Sequence, residues 1–383
     1  MWRFLGRRLV AALVTLWVVI TVSFLLMRLA PGGPFSRDKP LPPAVEANLR
    51  RTFGMAADVS AGHAGKLERV EVKSGQTVEK GHVLAQILTA AGDRPVVAGA
   101  DMTIVRVVQR PGAEVAADDV LLIRETTLLE QYTAAMASYA RLDFGVTYTS
   151  EGARTVIENV AAGFPVSLEL GLYALIIALL VGVGSGIVAA LNRNRWLDHA
   201  AMGGALLAVS MSSIVLGPLL VLVFCVSLQW LPWGGWQAWS WTGGDALPKI
   251  LPSMTLGLVY AAWFSRLARA GLIDVLDQPW IMTARAKGLS KTRIVLVHAL
   301  KPALLPVVSF LGPALAGIVT GSVVVERIFA VPGIGEYFVA AALNRDYPMV
   351  MGTVVLYASL LIAANVVVDL LYGLLDPKVR VSS

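Results

Sequence analysis

Three carboxylates stand where an apolar sequence has least use for charge. Glu169 lies near the start of one long apolar run and Asp369 near the end of another. Glu326, beside Arg327, closes a third run just before "FAVPGIG". Ionisable groups at membrane depth are costly unless paired or facing water. Glu169 and Asp369 therefore read either as polar points on an aqueous path or as hydrated residues at span ends. Glu326 reads locally as a partner of Arg327 that shapes a loop. Catalytic constellations are otherwise missing from the sequence. His63, His82, His199 and His298 are scattered without ligand spacing, which leaves them as ordinary surface residues. The sole cysteine, Cys225, lies in an apolar run, so no disulfide can form within the chain. No G-x-x-x-x-G-K-[ST] phosphate loop occurs, and the chain cannot supply an ATP site. "GVGSG", residues 182–186, sits inside an apolar run with no preceding strand and reads as close helix packing. No catalytic residue, metal or cofactor is expected.

One further stretch has the composition of a binding element. "MTARAKGLSKTRIVLVHALKPALLP", residues 282–306, is basic, has no acidic residue and shows helical periodicity between two apolar runs. Basic amphipathic helices bind anionic lipid. Here Ala284 and Gly288, four apart, predict a small-residue face that admits close backbone approach, which favours docking onto a protein.

The elements that position these residues are membrane spans. The chain of 383 residues is 56% hydrophobic and only 15% charged, with a mean hydropathy of +0.68. Soluble domains carry about a quarter charged residues, so lipid is the expected solvent. A net charge of +6 would suit nucleic acid, but the basic residues cluster beside apolar spans and report membrane orientation instead. Six segments approach the roughly 20 apolar residues a spanning helix needs: 9–27, 167–191, 205–228, 250–267, 303–325 and 349–371. The first is too long for a typical signal-peptide core and reads as a retained anchor. Lys and Arg concentrate at the head, at 193–195, at 266–301 and in the tail. Both termini and the basic stretch then face the cytosol. The "WLPWGGWQAWSW" loop, residues 230–241, falls outside, its tryptophans reading as interfacial anchors.

These stretches resemble the permease subunits of ATP-binding-cassette importers, in the dipeptide, oligopeptide and nickel branch. Met282, Thr283 and Ala284 occupy the E-A-A positions of the family's cytoplasmic loop and Gly288 its glycine; "TARAKGLS" is typical of the peptide branch. "WRFLGRRLVAALVTLWVVITVSFLLMRLAPGGPF", "GSVVVERIFAVPGIGEYFVAAALNRDYPMVMG" and "VDLLYGLLDPKVR" are similar to the family's first span, fifth-to-sixth-span region and tail. The resemblance implies a non-catalytic half of a translocation pathway in the inner membrane, coupled to a separate ATPase through the 274–301 loop. Thr283, Ala284, Arg285, Ala286, Lys287 and Gly288 would make the coupling contact. Glu169, Glu326, Pro332, Gly333 and Asp369 would line the pathway or its outer gate. Implied partners are a second permease subunit, two ATPase domains and an external solute-binding protein.

One block departs from the family pattern. "RRTFGM" ends at Met55 and "LLEQYTAAMASYARLDFGVTY" begins at Leu128, and the sequence between repeats itself with an offset of 37 residues. Gly75 aligns with Gly112, Leu67 with Ile104, Val78 with Val115 and Leu84 with Leu121. Alternating apolar residues around glycine turns predict β-hairpins. The block resembles a biotinyl/lipoyl-like domain whose half-linking turn, residues 89–95, has no lysine to modify. The expected fold is an all-α polytopic membrane protein with six transmembrane helices and a small inserted all-β barrel-sandwich domain. The divisions are 1–55, 56–127 (external) and 128–383. Two rivals stay open: an adaptor or tether whose β-block docks a partner, and, more weakly, a secondary transporter, which the lack of a convincing inverted repeat disfavours.

Overall fold

The computed structural model describes residues 2–29, 47, 50–51, 54–90, 92–147, 154–236 and 246–375. Helix α1 (Trp2–Leu29) leads into eight strands: β1 (Ala56–Ser60), β2 (Gly65–Val70), β3 (Thr77–Val78), β4 (Val83–Thr89), β5 (Gly92–Val97), β6 (Met102–Val107), β7 (Glu114–Val115) and β8 (Val120–Glu125). Then come α2 (Leu128–Tyr139), α3 (Val156–Leu191), α4 (Trp196–Ser210), α5 (Ser213–Val221) with a π-helical extension (Leu222–Ser227), and α6 (Leu247–Leu276). The rest is α7 (Pro279–Ala286), α8 (Lys291–Arg293), a π-helical turn (Ile294–Ala299), α9 (Leu300–Ala303), α10 (Leu305–Ile328), α11 (Ile334–Leu343) and α12 (Tyr347–Leu375). Two compact units result: residues 1–25 with 146–383, and residues 26–145.

In the helical unit, α1, α3, α10 and α12 are long and apolar enough to cross a membrane. A fifth span results if α4 and α5 with its extension count as one. This is fewer than the six read from the sequence, for two local reasons. The third apolar run is not one helix: Met211 is extended and Ser212 caps a new helix by accepting the Ile214 N–H, so the axis bends by 108°. The fourth run is one helix of 30 residues, but it extends past the expected end to include Arg266, Arg269 and Asp274.

α6 is the centre of this unit, and α3 lies tightly along it. A methyl group on Gly182 would stand 2.5 Å from the Ala261 carbonyl oxygen and 2.8 Å from Phe264 Cβ. One on Gly257 would stand 2.7 Å from the Ala174 carbonyl oxygen. "GVGSG" is thus a packing face, as its sequence predicts, and Ser185 and Ser265 hydrogen-bond across it at 2.9 Å. With lipid on the outside, such close backbone approach replaces the hydrophobic drive that water provides elsewhere.

The second unit folds the repeat into two antiparallel sheets, ordered β1-β8-β6-β3 and β5-β4-β2-β7. Adding the 37-residue offset to β1 gives β5, to β2 gives β6, to β3 gives β7 and to β4 gives β8. The repeat therefore exchanges the two sheets. Register follows: Ala57↔Arg124 in one sheet matches Arg94↔Ile87 in the other, and Leu67↔Ile87 matches Ile104↔Arg124. Each sheet draws strands from both copies, so neither copy can close a core alone. Leu67, Leu84, Ile87, Ile104, Leu121 and Leu122 fill the space between the sheets.

Two departures from this symmetry tie the block to its flanks. Ala56, Ile123, Val105 and Val120 pack with Ala47, which lies before the block. Their counterparts in the other sheet are Asp93, Gln86, Glu68 and Val83, a mostly polar set that suits solvent. The block also begins and ends on adjacent strands. Ala56 pairs with Glu125, and the Thr126 N–H reaches the Met55 carbonyl at 3.1 Å. Thr127 then caps α2 and forms a capping box with Glu130, whose carboxylate also takes two bonds from Arg124 at 2.9 and 3.0 Å. Those donors hold the Glu130 carboxyl down to about 2.

Candidate functional site

The ends of α3, α10 and α11 meet around a buried carboxylate. Glu326, near the end of α10, has no exposed surface. It accepts hydrogen bonds from Ser167 Oγ of α3 at 2.7 Å and from the Gly335 N–H of α11 at 2.7 Å. Ser167 Oγ in turn accepts the Ile334 N–H at 2.8 Å. One acid thus joins three helices. The glycines of "VPGIG" make the room: a methyl on Gly333 would stand 2.5 Å from Ser167 Oγ, and one on Gly335 2.6 Å from the Glu326 carboxylate. This corrects the local reading of Glu326, since its neighbour Arg327 is exposed and the acid's partners come from α3 and α11. Pro332 is exposed, whereas Gly333 is buried beneath the carboxylate.

Two residues beyond Ser167, Glu169 pairs with Lys249 at 2.6 Å, and both side chains are largely buried (16% and 7% exposed). The Lys249 ammonium also lies 5.3 Å from the centre of the Trp236 ring, near enough for a cation–π contact. Trp236 is therefore not an interfacial anchor but a core residue, while Trp230 and Trp233 of the same loop are exposed. Trp239 and Trp241 lie outside the described residues, as does the side chain of Asp369. The pairing of Glu169 with Lys249 was not anticipated. The two are distant in sequence, and the available signal was their opposite charge at the ends of separate apolar runs.

At the other end of α6, Arg269 grips Asp198 through two bonds, at 2.6 and 2.7 Å, and Asp198 also accepts the Asn194 N–H at 2.9 Å. This fixes the start of α4 against α6. Beyond α6 comes the basic stretch, and its local structure differs from the expected single helix. α7 starts with Pro279 at its first turn and ends at Ala286. Gly288 has φ +79 and its N–H bonds to the Arg285 carbonyl at 2.9 Å, so it stops the helix rather than extending a face. Ala284 turns inward, packing with Ile281, Leu272 and Ile294. Ala284 and Gly288 therefore do not lie on one continuous helix, although Gly288 remains exposed. What α7 leaves exposed instead is Trp280 (45%) and Met282 (60%), beside Thr283, Arg285, Ala286 and Lys287. Among the described residues no cluster of three His, Cys, Asp or Glu side chains could hold a metal ion.

Long apolar helices joined by partly buried ion pairs are the build of a polytopic membrane protein. The family described as "Binding-protein-dependent transport system inner membrane component" matches residues 182–381. Over 380 residues the chain is 38% identical to the oligopeptide transport system permease protein OppB of Salmonella typhimurium, covering 99% of this chain and 100% of that protein. It is 34% identical to the dipeptide transport system permease protein DppB of Bacillus subtilis, again over 380 residues, covering 99% and 98%. Among solved structures, an inward-facing form of the MetNI methionine ABC transporter aligns with a TM-score of 0.49 at 18% identity, covering 57% of this chain and 97% of that one. The chain belongs to the family of inner-membrane components of binding-protein-dependent transport systems. It is a multi-pass permease subunit and not an enzyme.

Proposed function

We propose that this permease forms half of the translocation pathway of an ATP-driven importer for peptides or similar small solutes, and couples to a separate ATPase through residues 274–301. The observation that carries this reading is α7. It is anchored by buried Ile281 and presents Trp280, Met282 and a basic flank outward. Exposed aromatic and thioether side chains beside cations suit docking onto a protein groove. The oligopeptide and dipeptide systems for which the relatives are named support a peptide as the solute. The complex then needs a second permease, two ATPase domains and an external solute-binding protein, all at one bilayer; nucleic acid has no part in it.

Six spans follow if α4 with α5 counts as one and α6 as another. Both termini then lie in the cytosol and residues 56–127 outside, by the distribution of Lys and Arg. In this scheme Glu326 acts on the outer gate by holding Gly333 and Gly335 to α3. Glu169, Pro332 and Asp369 belong to the path beside it. We read the β-block as an inserted, unmodified lipoyl-like barrel-sandwich domain; the exchange of its sheets by the repeat and its adjacent ends support this. The test is uptake of a radiolabelled tripeptide by proteoliposomes holding the whole complex, with Ala90→Cys on a Cys225→Ser background as topology reporter. ATP-dependent accumulation and labelling of position 90 without permeabilisation are expected. Uptake that ignores ATP, or labelling only after permeabilisation, contradicts the respective reading.

A fragment of residues 47–140 is expected to be soluble, β-rich and of unmodified mass. Glu130 sets its acid response. Its carboxyl titrates at about 2 instead of 4.5, so its contribution is present above pH 4.5 and is lost as pH falls toward 2. Melting of wild type and Glu130→Gln should differ most above pH 4.5 and converge near pH 2. A constant difference across that window removes Glu130 as the source.

A further inference from the structure

α6 carries three cations inside the helical unit, and two of them have carboxylates. Lys249 is held by Glu169 and Arg269 by Asp198. The third, Arg266, has none among the described residues. Its guanidinium instead lies 4.3 Å from the centre of the Trp263 ring, and its Nη2 is buried without a hydrogen-bond partner. Arg266 is ten residues before the end of α6, about 15 Å along the axis at 1.5 Å per residue. Arg266 lies at the end of the apolar run 250–267, and a half-buried guanidinium there with an unmatched N–H is costly unless an anion or water meets it.

Its surroundings extend the argument. Trp263 stacks on Phe310 of α10, with ring centres 5.7 Å apart. Phe310, with Leu267, Leu305, Pro306 and Ser309, lines an open cavity of about 440 Å³ between α6 and α10. The cavity is mostly apolar, flanked through Trp263 by a cation that has no carboxylate partner among the described residues. An apolar hollow next to an unpaired guanidinium matches a molecule that is apolar over most of its surface and carboxylate at one end.

We infer that the α6–α10 hollow is a transit subsite for the C-terminal end of a peptide, with Arg266 meeting the carboxylate and Trp263 and Phe310 meeting the adjoining side chain. The inference rests on the peptide-importer reading. Arg266 lies outside the 274–301 stretch read as the ATPase contact, so its loss should leave coupling intact.

The experiment uses the whole complex in nanodiscs with a tripeptide probe carrying benzoylphenylalanine at its centre, as free acid and as C-terminal amide. Irradiation of the wild type with the acid is expected to attach probe to peptides containing residues 263–267 or 305–310. Arg266→Gln should lower that attachment about tenfold for the acid and less than twofold for the amide. Arg266→Lys should retain part of it. ATP hydrolysis stimulated by loaded binding protein should stay within twofold of wild type in both variants. Attachment only elsewhere, equal losses for acid and amide, or no loss at all overturns the subsite. Reduced recovery of the second permease with Arg266→Gln and Arg266→Lys alike would assign the guanidinium to that subunit instead, and also overturns it. If the wild-type complex neither binds nor transports any peptide with ATP, the importer reading falls, and the inference with it.

Discussion

Replacing Glu326 by alanine is expected to loosen the ends of α3, α10 and α11 that meet at it and to lower the melting temperature of the purified chain by about 10 °C. The substitution removes an acceptor and leaves Ser167 Oγ and the Gly335 N–H, both bonded to Glu326 now, without it. A buried polar group left unsatisfied costs roughly 1–3 kcal/mol, and two such groups sum to several. At about 2–4 °C per kcal/mol for a unit of this size, the shift is of the stated order. Glu326→Gln keeps the shape and one acceptor oxygen and should fall between. Because Ser167 acts partly through the same carboxylate and partly by accepting the Ile334 N–H, Ser167→Ala should cost less on the Glu326→Ala background than in the wild type, the non-additivity expected of one network. A melting temperature within 2 °C of wild type for Glu326→Ala, or full additivity with Ser167→Ala, refutes this description of the closure.

The second large effect concerns α7. Trp280→Ser with Met282→Ser should leave the chain folded and inserted but abolish recovery of the ATPase on copurification. Both side chains are exposed in this structure, so their loss removes little internal packing. An aromatic anchor of an interface typically contributes about 2 kcal/mol or more, so losing Trp280 alone weakens docking about 30-fold, and losing Met282 beside it weakens docking further. Ile281→Ser is the contrast, because Ile281 is wholly buried with Leu272, Ile294 and Ala303. That variant should lose expression before it loses docking. Undiminished ATPase recovery with the double substitution at Trp280 and Met282 excludes this face of α7 as the docking surface.

How much of this was legible depended on whether the signal was local. The strands of the β-block were readable, because a repeat constrains both copies at once and alternation in a strand has a period of only two, but the interleaving of the two copies within each sheet was not. The glycines at 182 and 186 were readable for a similar reason: nothing but close approach explains them in an apolar run. The break at Met211 was not, since "AVSMSSIVLG" is apolar enough to continue a helix and contains no proline at the bend. The stop at Gly288 was masked by the apolar period that resumes in "RIVLV". Contacts between distant residues were the least legible. Nothing near Ser167 announces a bond to Glu326, and nothing near Trp236 announces that Lys249 will lie over it.

The adjacency of Ala56 and Glu125 has a mechanical meaning. Strands that enter and leave a sheet side by side are loaded like a zipper, one rung at a time, and not in shear along their length. Any movement that draws residue 54 away from residue 126 must first open the Thr126-to-Met55 and Thr126-to-Gly54 bonds, then peel β1 from β8, long before it strains the core. The chain on either side of the block is consequently stapled into one travelling piece. The β-block rides on that piece as a passenger, outside the line of tension.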